Sequence, residues 1–297
     1  MALPSSSTPT ASAPASLGER WPPLESTPAV FNQFVWSLGV PEDDVEFHDV
    51  YGLDADALDM VPQPVLAVVL CFPDPPQDAS YLSEQLLISG EKLPISLYCA
   101  WCFMLPCVTQ ETQDQIYFIK QIESLGNACG TIALLHAVGN ASSKVNLVEN
   151  SCLDLFFKST ATMDPYERAV CLEKDDTMAR AHLLAANNGA TEGYALNTVH
   201  DVPLYFSLVS IVSRSELNCA VCIDNKLSDL IEEHYICFVH VNGTLYELDG
   251  MKDGPINHGP CSSISLLQDV VPVIKAIMCN IPNSINFNLM ALSGKEK

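Results

Sequence analysis

Basic residues are scarce in this chain of 297 residues. Fourteen lysines and arginines stand against 36 aspartates and glutamates, a formal net charge of −22 at pH 7. Such a surface repels phosphate backbones and anionic lipid, which excludes nucleic acid and an anionic membrane as partners. It suits a basic partner. Residues 1–18 hold no Lys or Arg and no apolar core, so neither a secretory signal nor a transit peptide is expected. Their Ser, Ala, Thr and Pro content, without repeat, predicts a disordered tail. Long apolar runs are also missing. The uncharged stretch 95–108 is too short and too interrupted for the roughly 20 apolar residues of a spanning helix, so no membrane segment is expected. Cysteine is spread thin, 12 in 297 residues, which argues against a disulfide scaffold. A reduced, cytoplasmic protein is expected. The triplets Asn140-Ala-Ser and Asn242-Gly-Thr would then carry no glycan.

What is present is a sizeable core. Hydrophobic residues make up 48 % of the chain, enough for one large domain or two small ones. The central stretch is Gln121-Ile-Glu-Ser-Leu-Gly-Asn-Ala-Cys129-Gly-Thr-Ile-Ala-Leu-Leu-His136. Ile132, Leu135 and His136 recur at helical spacing, with Asn127 as the expected cap and Gly139 as the expected stop. Cys129 then lies in the first turn, where free N–H groups and the helix dipole favour an anion. A thiolate there is a good nucleophile. The competing reading is a cysteine that only packs. His136 is two turns away, about 10 Å, too far to be the base, and reads as a core histidine.

A base is available in His234-Tyr-Ile-Cys-Phe-Val-His240-Val-Asn242-Gly243-Thr-Leu-Tyr-Glu247-Leu-Asp249-Gly250. Two alternating runs flank Asn-Gly, a hairpin signal. A two-residue turn pairs Val241 with Thr244. Ile236 then faces Asp249, and His234 is diagonal to Asp249 on the same face. By the same count His240 is diagonal to Glu247. Pattern alone leaves two histidine–carboxylate dyads open.

The order Gln, Cys, His, Asp resembles that of the ubiquitin C-terminal hydrolases, papain-like cysteine peptidases acting at the carboxyl end of ubiquitin. Lys120-Gln121, Asn127-Ala-Cys-Gly-Thr-Ile, His234 with its strand, Leu245-Tyr-Glu-Leu-Asp-Gly250 and Pro255-Ile-Asn-His-Gly259 carry the likeness. It covers roughly residues 20–70, 116–192 and 233–297. The resemblance implies Cys129 as nucleophile, His234 as general base and acid, Asp249 as its orienter and Gln121 as oxyanion donor. It implies ubiquitin, or a ubiquitin-like protein, as the partner, and no cofactor or metal. In the family the Gln lies six residues before the Cys; here Gln121 lies eight before Cys129, and Glu123 occupies the sixth position. Either the two extra residues bulge out and Gln121 points inward, or the oxyanion hole is damaged. The second case motivates an alternative, a ubiquitin-binding protein that does not turn over.

The expected fold is a single α/β (α+β) domain over 19–297, an antiparallel sheet flanked by helices, acting as a monomer. Thr27-Pro28 opens a helix with a buried stripe at Val30, Phe31, Phe34, Val35 and Leu38, ended by Gly39. Residues 42–46 read as an acidic loop. Asp54 caps a short helix to about Met60, and 65–72 and 117–119 read as strands. Helices are expected over 151–158, 165–173 (with an Asp164/Glu167 capping box) and 176–186. The resemblance makes 187–193 a loop crossing the cleft. A helix over 262–280 is interrupted at Pro272, a strand spans 285–292, and 294–297 fray. Residues 73–115 and 194–232 lack the resemblance and are uncharged and Cys-rich in part, which suggests retained-intron or alternative-exon sequence. They hold two C-x-x-C pairs, Cys99/Cys102 and Cys219/Cys222. These raise the rival readings of a zinc-stabilised module and a thiol redox protein, although over a hundred residues separate the pairs.

Overall fold

In the computed structural model the described residues are 21–74, 115–195, 232–281 and 286–295. The expected tail, residues 75–114 and 196–231 of the two stretches 73–115 and 194–232, and both C-x-x-C pairs lie outside them. Helix α1 (Pro28–Ser37) opens as its sequence dictates. Thr27 Oγ1 accepts the Val30 N–H, and proline fills the first turn, where its missing donor costs nothing. Strand β1 (Val45–Asp49), helix α2 (Ala55–Asp59, capped by Asp54) and strand β2 (Val65–Asp74) follow. After a 3-10 turn (Glu123–Leu125) come helices α3 (Cys129–Asn140), α4 (Cys152–Thr160), α5 (Pro165–Lys174) and α6 (Asp176–Ala195). The chain then returns to the sheet as β3 (Glu232–Val241), β4 (Thr244–Leu248) and β5 (Ile256–Pro260). Helix α7 (Leu266–Asn280) and strand β6 (Asn288–Gly294) complete the described elements.

The six strands form one antiparallel sheet in the order β1-β6-β2-β3-β4-β5. Side chains alternate across it, so each strand feeds two cores. Ala67, Val69, Cys71, Tyr235 and Cys237 face α1 and α3; Val68, Leu70, Ile236 and Phe238 face α7. The expected class, an antiparallel sheet flanked by helices, is the one found. Phe31 and Phe34 of α1 are fully buried, each removal from water contributing roughly 2–3 kcal/mol.

Several local expectations are corrected. The cap of α3 is Ala128, not Asn127, and it makes no side-chain bond. Gly139 does not stop α3. It lies in the last turn, one residue before the helix ends, where a Cβ would come within 2.6 Å of a Tyr117 ring carbon. Residues 117–119 are extended but pair with no strand; Asn140 holds Tyr117 through its N–H and carbonyl instead. The predicted loop 187–193 is helical, the continuation of α6, and so is not a crossing loop within the described residues. Pro272 lies within α7 without ending it. The five apolar residues Val270, Val271, Val273, Ile274 and Ile277 anchor that helix on both sides of the proline. The end does not fray at 294–295: the Lys295 N–H donates to the Asp44 carbonyl and its ammonium lies 2.8 Å from Glu46 Oε2. Asp44 is no solvated loop acid. It is buried and accepts from the backbone and side-chain N–H groups of Asn146.

Candidate active site

Two elements converge on one end of the sheet. The hairpin β3–β4 turns at Asn242 (φ 50°) and Gly243 (φ 79°), left-handed positions that this dipeptide tolerates. The turn fixes the register: Val241 pairs with Thr244 and Cys237 with Leu248. That count carries His234 to Asp249, and His234 Nε2 lies 2.7 Å from Asp249 Oδ1. Both are buried, at 7 % and 5 % exposure. The Phe72 ring stands edge-on to the imidazole at 5.8 Å on the neighbouring strand. Asp249 Oδ1 also accepts the Met251 N–H at 2.9 Å.

Cys129 enters from the other side as the first residue of α3, 7 % exposed. Its thiol donates to the Glu233 carbonyl at 4.0 Å, one residue before His234, and the sulfur is close enough to the imidazole to act on its charge. Burial acts strongly on His234 and alone would lower its pKa. The hydrogen bonds to Asp249 and Cys129, with their charges, outweigh it and raise the imidazole to about 10. Burial would likewise raise Asp249, but its bond to His234 prevails and holds the carboxyl below its ordinary range. A cysteine sulfur, an imidazole that holds its proton and an ionised orienting carboxylate are thus brought together. This set can perform nucleophilic acyl transfer.

Gln121 is brought beside this group by backbone. Its N–H donates to the Gly250 carbonyl at 2.8 Å, one residue past Asp249. Its side-chain Nε2 donates to the Gly126 carbonyl at 2.9 Å. The extra residues between Gln121 and Cys129 are taken up by the 3-10 turn 123–125 and by Gly126 at φ 51°. Glu123 sits on that turn, exposed.

The second candidate dyad does not form. His240 Nε2 accepts the Gly243 N–H at 3.1 Å, and Glu247 instead meets His258 Nε2 at 2.7 Å. His136 is the core histidine expected. It is stacked on Phe118, accepts the Ile119 N–H, and is lowered by burial to about 4. Among the described residues no cluster of three or more His, Cys, Asp or Glu side chains suits a metal, and no helix is long and apolar enough to cross a membrane. Sequence reasoning missed His258 and Lys120. His258 is the extra residue of a β-bulge between pairs Leu245–Gly259 and Tyr246–Asn257, so strand counting does not place it.

Residues 21–279 match the family model described as ubiquitin carboxyl-terminal hydrolase, family 1. The chain is 40 % identical to ubiquitin carboxyl-terminal hydrolase 3 of Arabidopsis thaliana over 279 residues, covering 94 % of this chain and 96 % of that protein. It is 32 % identical to ubiquitin carboxyl-terminal hydrolase isozyme L1 of Macaca fascicularis, covering 91 % and 96 %. Its fold is that of the Trichinella spiralis UCH37 catalytic domain, solved bound to ubiquitin vinyl methyl ester. The TM-score is 0.60 at 20 % identity, with 94 % of this chain and 98 % of that one covered.

Proposed function

The chain belongs to ubiquitin carboxyl-terminal hydrolase family 1, and on that premise we propose that it is a thiol-dependent hydrolase releasing adducts from the C-terminal glycine of ubiquitin. The Cys129 sulfur attacks the carbonyl of that glycine and forms a thioester. His234, which already holds the proton that the cysteine gives up, delivers it to the departing amine or alcohol. Water then attacks the thioester with His234 as base, and free ubiquitin leaves with its carboxylate restored. Asp249 keeps Nε2 engaged, which leaves Nδ1 to serve the sulfur. Gln121 serves the oxyanion through its side-chain amide. The observation that carries this reading is the 2.7 Å His234–Asp249 bond beside a first-turn cysteine whose sulfur reaches the Glu233 carbonyl, one residue before that histidine. The net charge of −22 suits a basic partner surface.

A second reading has its own observation. The Gln121 amide already donates to the Gly126 carbonyl, which favours a protein that binds ubiquitin without turnover. One experiment separates the two: hydrolysis of a ubiquitin C-terminal fluorophore conjugate by the whole chain beside Cys129→Ala. Release abolished by that substitution is expected. No release from the unaltered chain, with ubiquitin binding retained, would establish the second reading.

A further inference from the structure

Three consecutive amides hold the segment that leads to Gln121, each through a different element. The Ile119 N–H donates to His136 Nε2 at 2.9 Å, the Lys120 N–H to the Pro165 carbonyl at 3.0 Å, and the Gln121 N–H to the Gly250 carbonyl at 2.8 Å. The Lys120 side chain adds a fourth tie. Its ammonium donates to the carbonyls of Met251 (3.1 Å) and Lys252 (2.8 Å) and to Asp253 Oδ1 (3.0 Å). An ammonium has three donors, and all three are used on residues that directly follow Asp249-Gly250.

The same turn is closed from within. The Lys252 N–H donates to the Asp249 carbonyl at 2.9 Å, and the Met251 N–H to Asp249 Oδ1 at 2.9 Å. The two carbonyls that converge on Lys120 therefore belong to the turn that aims the Asp249 carboxylate. Of the three contacts, the ion pair is the weak one. Asp253 is fully exposed, and such pairs contribute little. The two carbonyl bonds are directed and charge-assisted, and the Lys120 side chain is only 26 % exposed.

We infer that Lys120 is a positioning residue: its ammonium locks the Asp249 turn onto the Gln121 segment, so that the orienting carboxylate and the oxyanion donor hold one geometry toward Cys129 and His234. Lys120 touches neither the sulfur nor the imidazole in any bond seen here and acts through the turn. The inference rests on the hydrolase reading above and adds a residue to its machinery. Small displacements of oriented groups cost rate rather than binding, typically about 100-fold for 1 Å.

The test is Lys120→Met, which keeps the stem and removes the donors, beside Asp253→Asn, which removes only the exposed ion pair. On the ubiquitin fluorophore conjugate, K120M is expected to lower kcat about 10–100-fold with KM within about twofold, and D253N to change kcat by less than about twofold. A second readout is independent of turnover. The His234 ring, followed by NMR titration, is expected to lose its proton at lower pH in K120M than in the unaltered chain. Unaltered kcat with unaltered His234 titration in K120M would overturn the inference, as would D253N matching K120M. Should K120M not fold, Lys120→Gln, which keeps a neutral donor, replaces it; a smaller kcat loss is then expected, and none would overturn the inference. If the unaltered chain shows no Cys129-dependent release, the hydrolase reading fails, and the His234 titration alone decides the role of Lys120.

Discussion

Glu247 and His258 meet across β4 and β5, Oε2 to Nε2 at 2.7 Å, in a pair whose side chains are 3 % and 13 % exposed. The bulge in β5 turns His258 inward, where its ring also lies 6.3 Å from that of Phe238. This pairing occupies the carboxylate that strand counting offers equally to His240. Strands β3 to β5 therefore hold one histidine–carboxylate dyad beside the cysteine and, across β4 and β5, a second, largely buried one.

The two histidines should respond differently to substitution. Glu247→Ala strips the hydrogen-bond partner from His258 and is expected to destabilise the fold by about 1–3 kcal/mol. For a domain of this size that lowers the thermal midpoint by roughly 2–12 °C. His240→Ala removes a half-exposed ring whose one bond is to the Gly243 N–H, and should leave hydrolysis and midpoint nearly unchanged. Calorimetry with the fluorophore assay checks both. Loss of activity in a folded His240→Ala would reinstate the other dyad.

The raised imidazole and the lowered carboxyl set a pH window for stability. His234 moves from 6.5 to about 10 on folding, so its contribution is complete below about 6.5 and is lost as pH rises toward 10. Asp249 lies below its ordinary 3.8, so its contribution is complete above that value and is lost at lower pH. Both are present together between about 4 and 6.5. The difference in unfolding free energy between the unaltered chain and Asp249→Asn should therefore be largest near pH 5, smaller at pH 8 and smallest near pH 10. Chemical denaturation at those three values measures it. A difference that is flat with pH would show that the dyad carries no ion-pair character.

The site was legible where short-range rules act. Asn242-Gly243 sets a two-residue turn, the turn sets the register, and the register offers His234 to Asp249 as one of two dyads, between which the family resemblance chose. Cys129 in a first turn follows from helical spacing in the same way. The misreadings came where tertiary packing overrides local signals. Gly139 has the residue type of a helix stop but is there for the Tyr117 ring. Asn187-Asn-Gly has the composition of a loop, yet α6 runs through it. His258 and Lys120 act through partners 11 and more than 130 residues away, which no local pattern exposes.

Gly139 gives a test of that override. Alanine in place of a helical glycine ordinarily gains up to about 1 kcal/mol, less in a last turn such as that of Gly139. Here the new Cβ would lie 2.6 and 2.9 Å from Tyr117 carbons and 3.2 Å from Phe157. The Tyr117 ring has little room to yield. Its hydroxyl is bonded to Thr160 at 2.8 Å, and the Arg168 guanidinium lies over it at 4.4 Å. Overpacking of this kind costs about 1–3 kcal/mol, so Gly139→Ala should be a net destabiliser by about 1–2 kcal/mol. Urea unfolding measures it; a stabilised variant would mean that the rings relax freely.

Gln121 decides between hydrolysis and binding alone, because its two roles make opposite demands on one amide. Nε2 carries two protons, and one goes to the Gly126 carbonyl at 2.9 Å. That bond fixes the amide plane and leaves the second proton for an oxyanion. Gly250 sets the approach from the other side: a Cβ there would lie 3.2 Å from Gln121 Cβ and 3.3 Å from its N. If the remaining proton serves the oxyanion, Gln121→Ala should lower kcat about 100–1,000-fold with little change in KM. Gly250→Ala should lower kcat by a smaller factor, through displacement of the same segment. Ubiquitin affinity should survive both. If the Gly126 bond has taken the amide out of use, the unaltered chain is already slow and Gln121→Ala changes nothing further. Single-turnover kinetics on the ubiquitin conjugate, run beside a binding titration, separate these outcomes: a kcat loss confined to the chemical step assigns Gln121 to the oxyanion, and equal rates with and without the amide remove it from the mechanism.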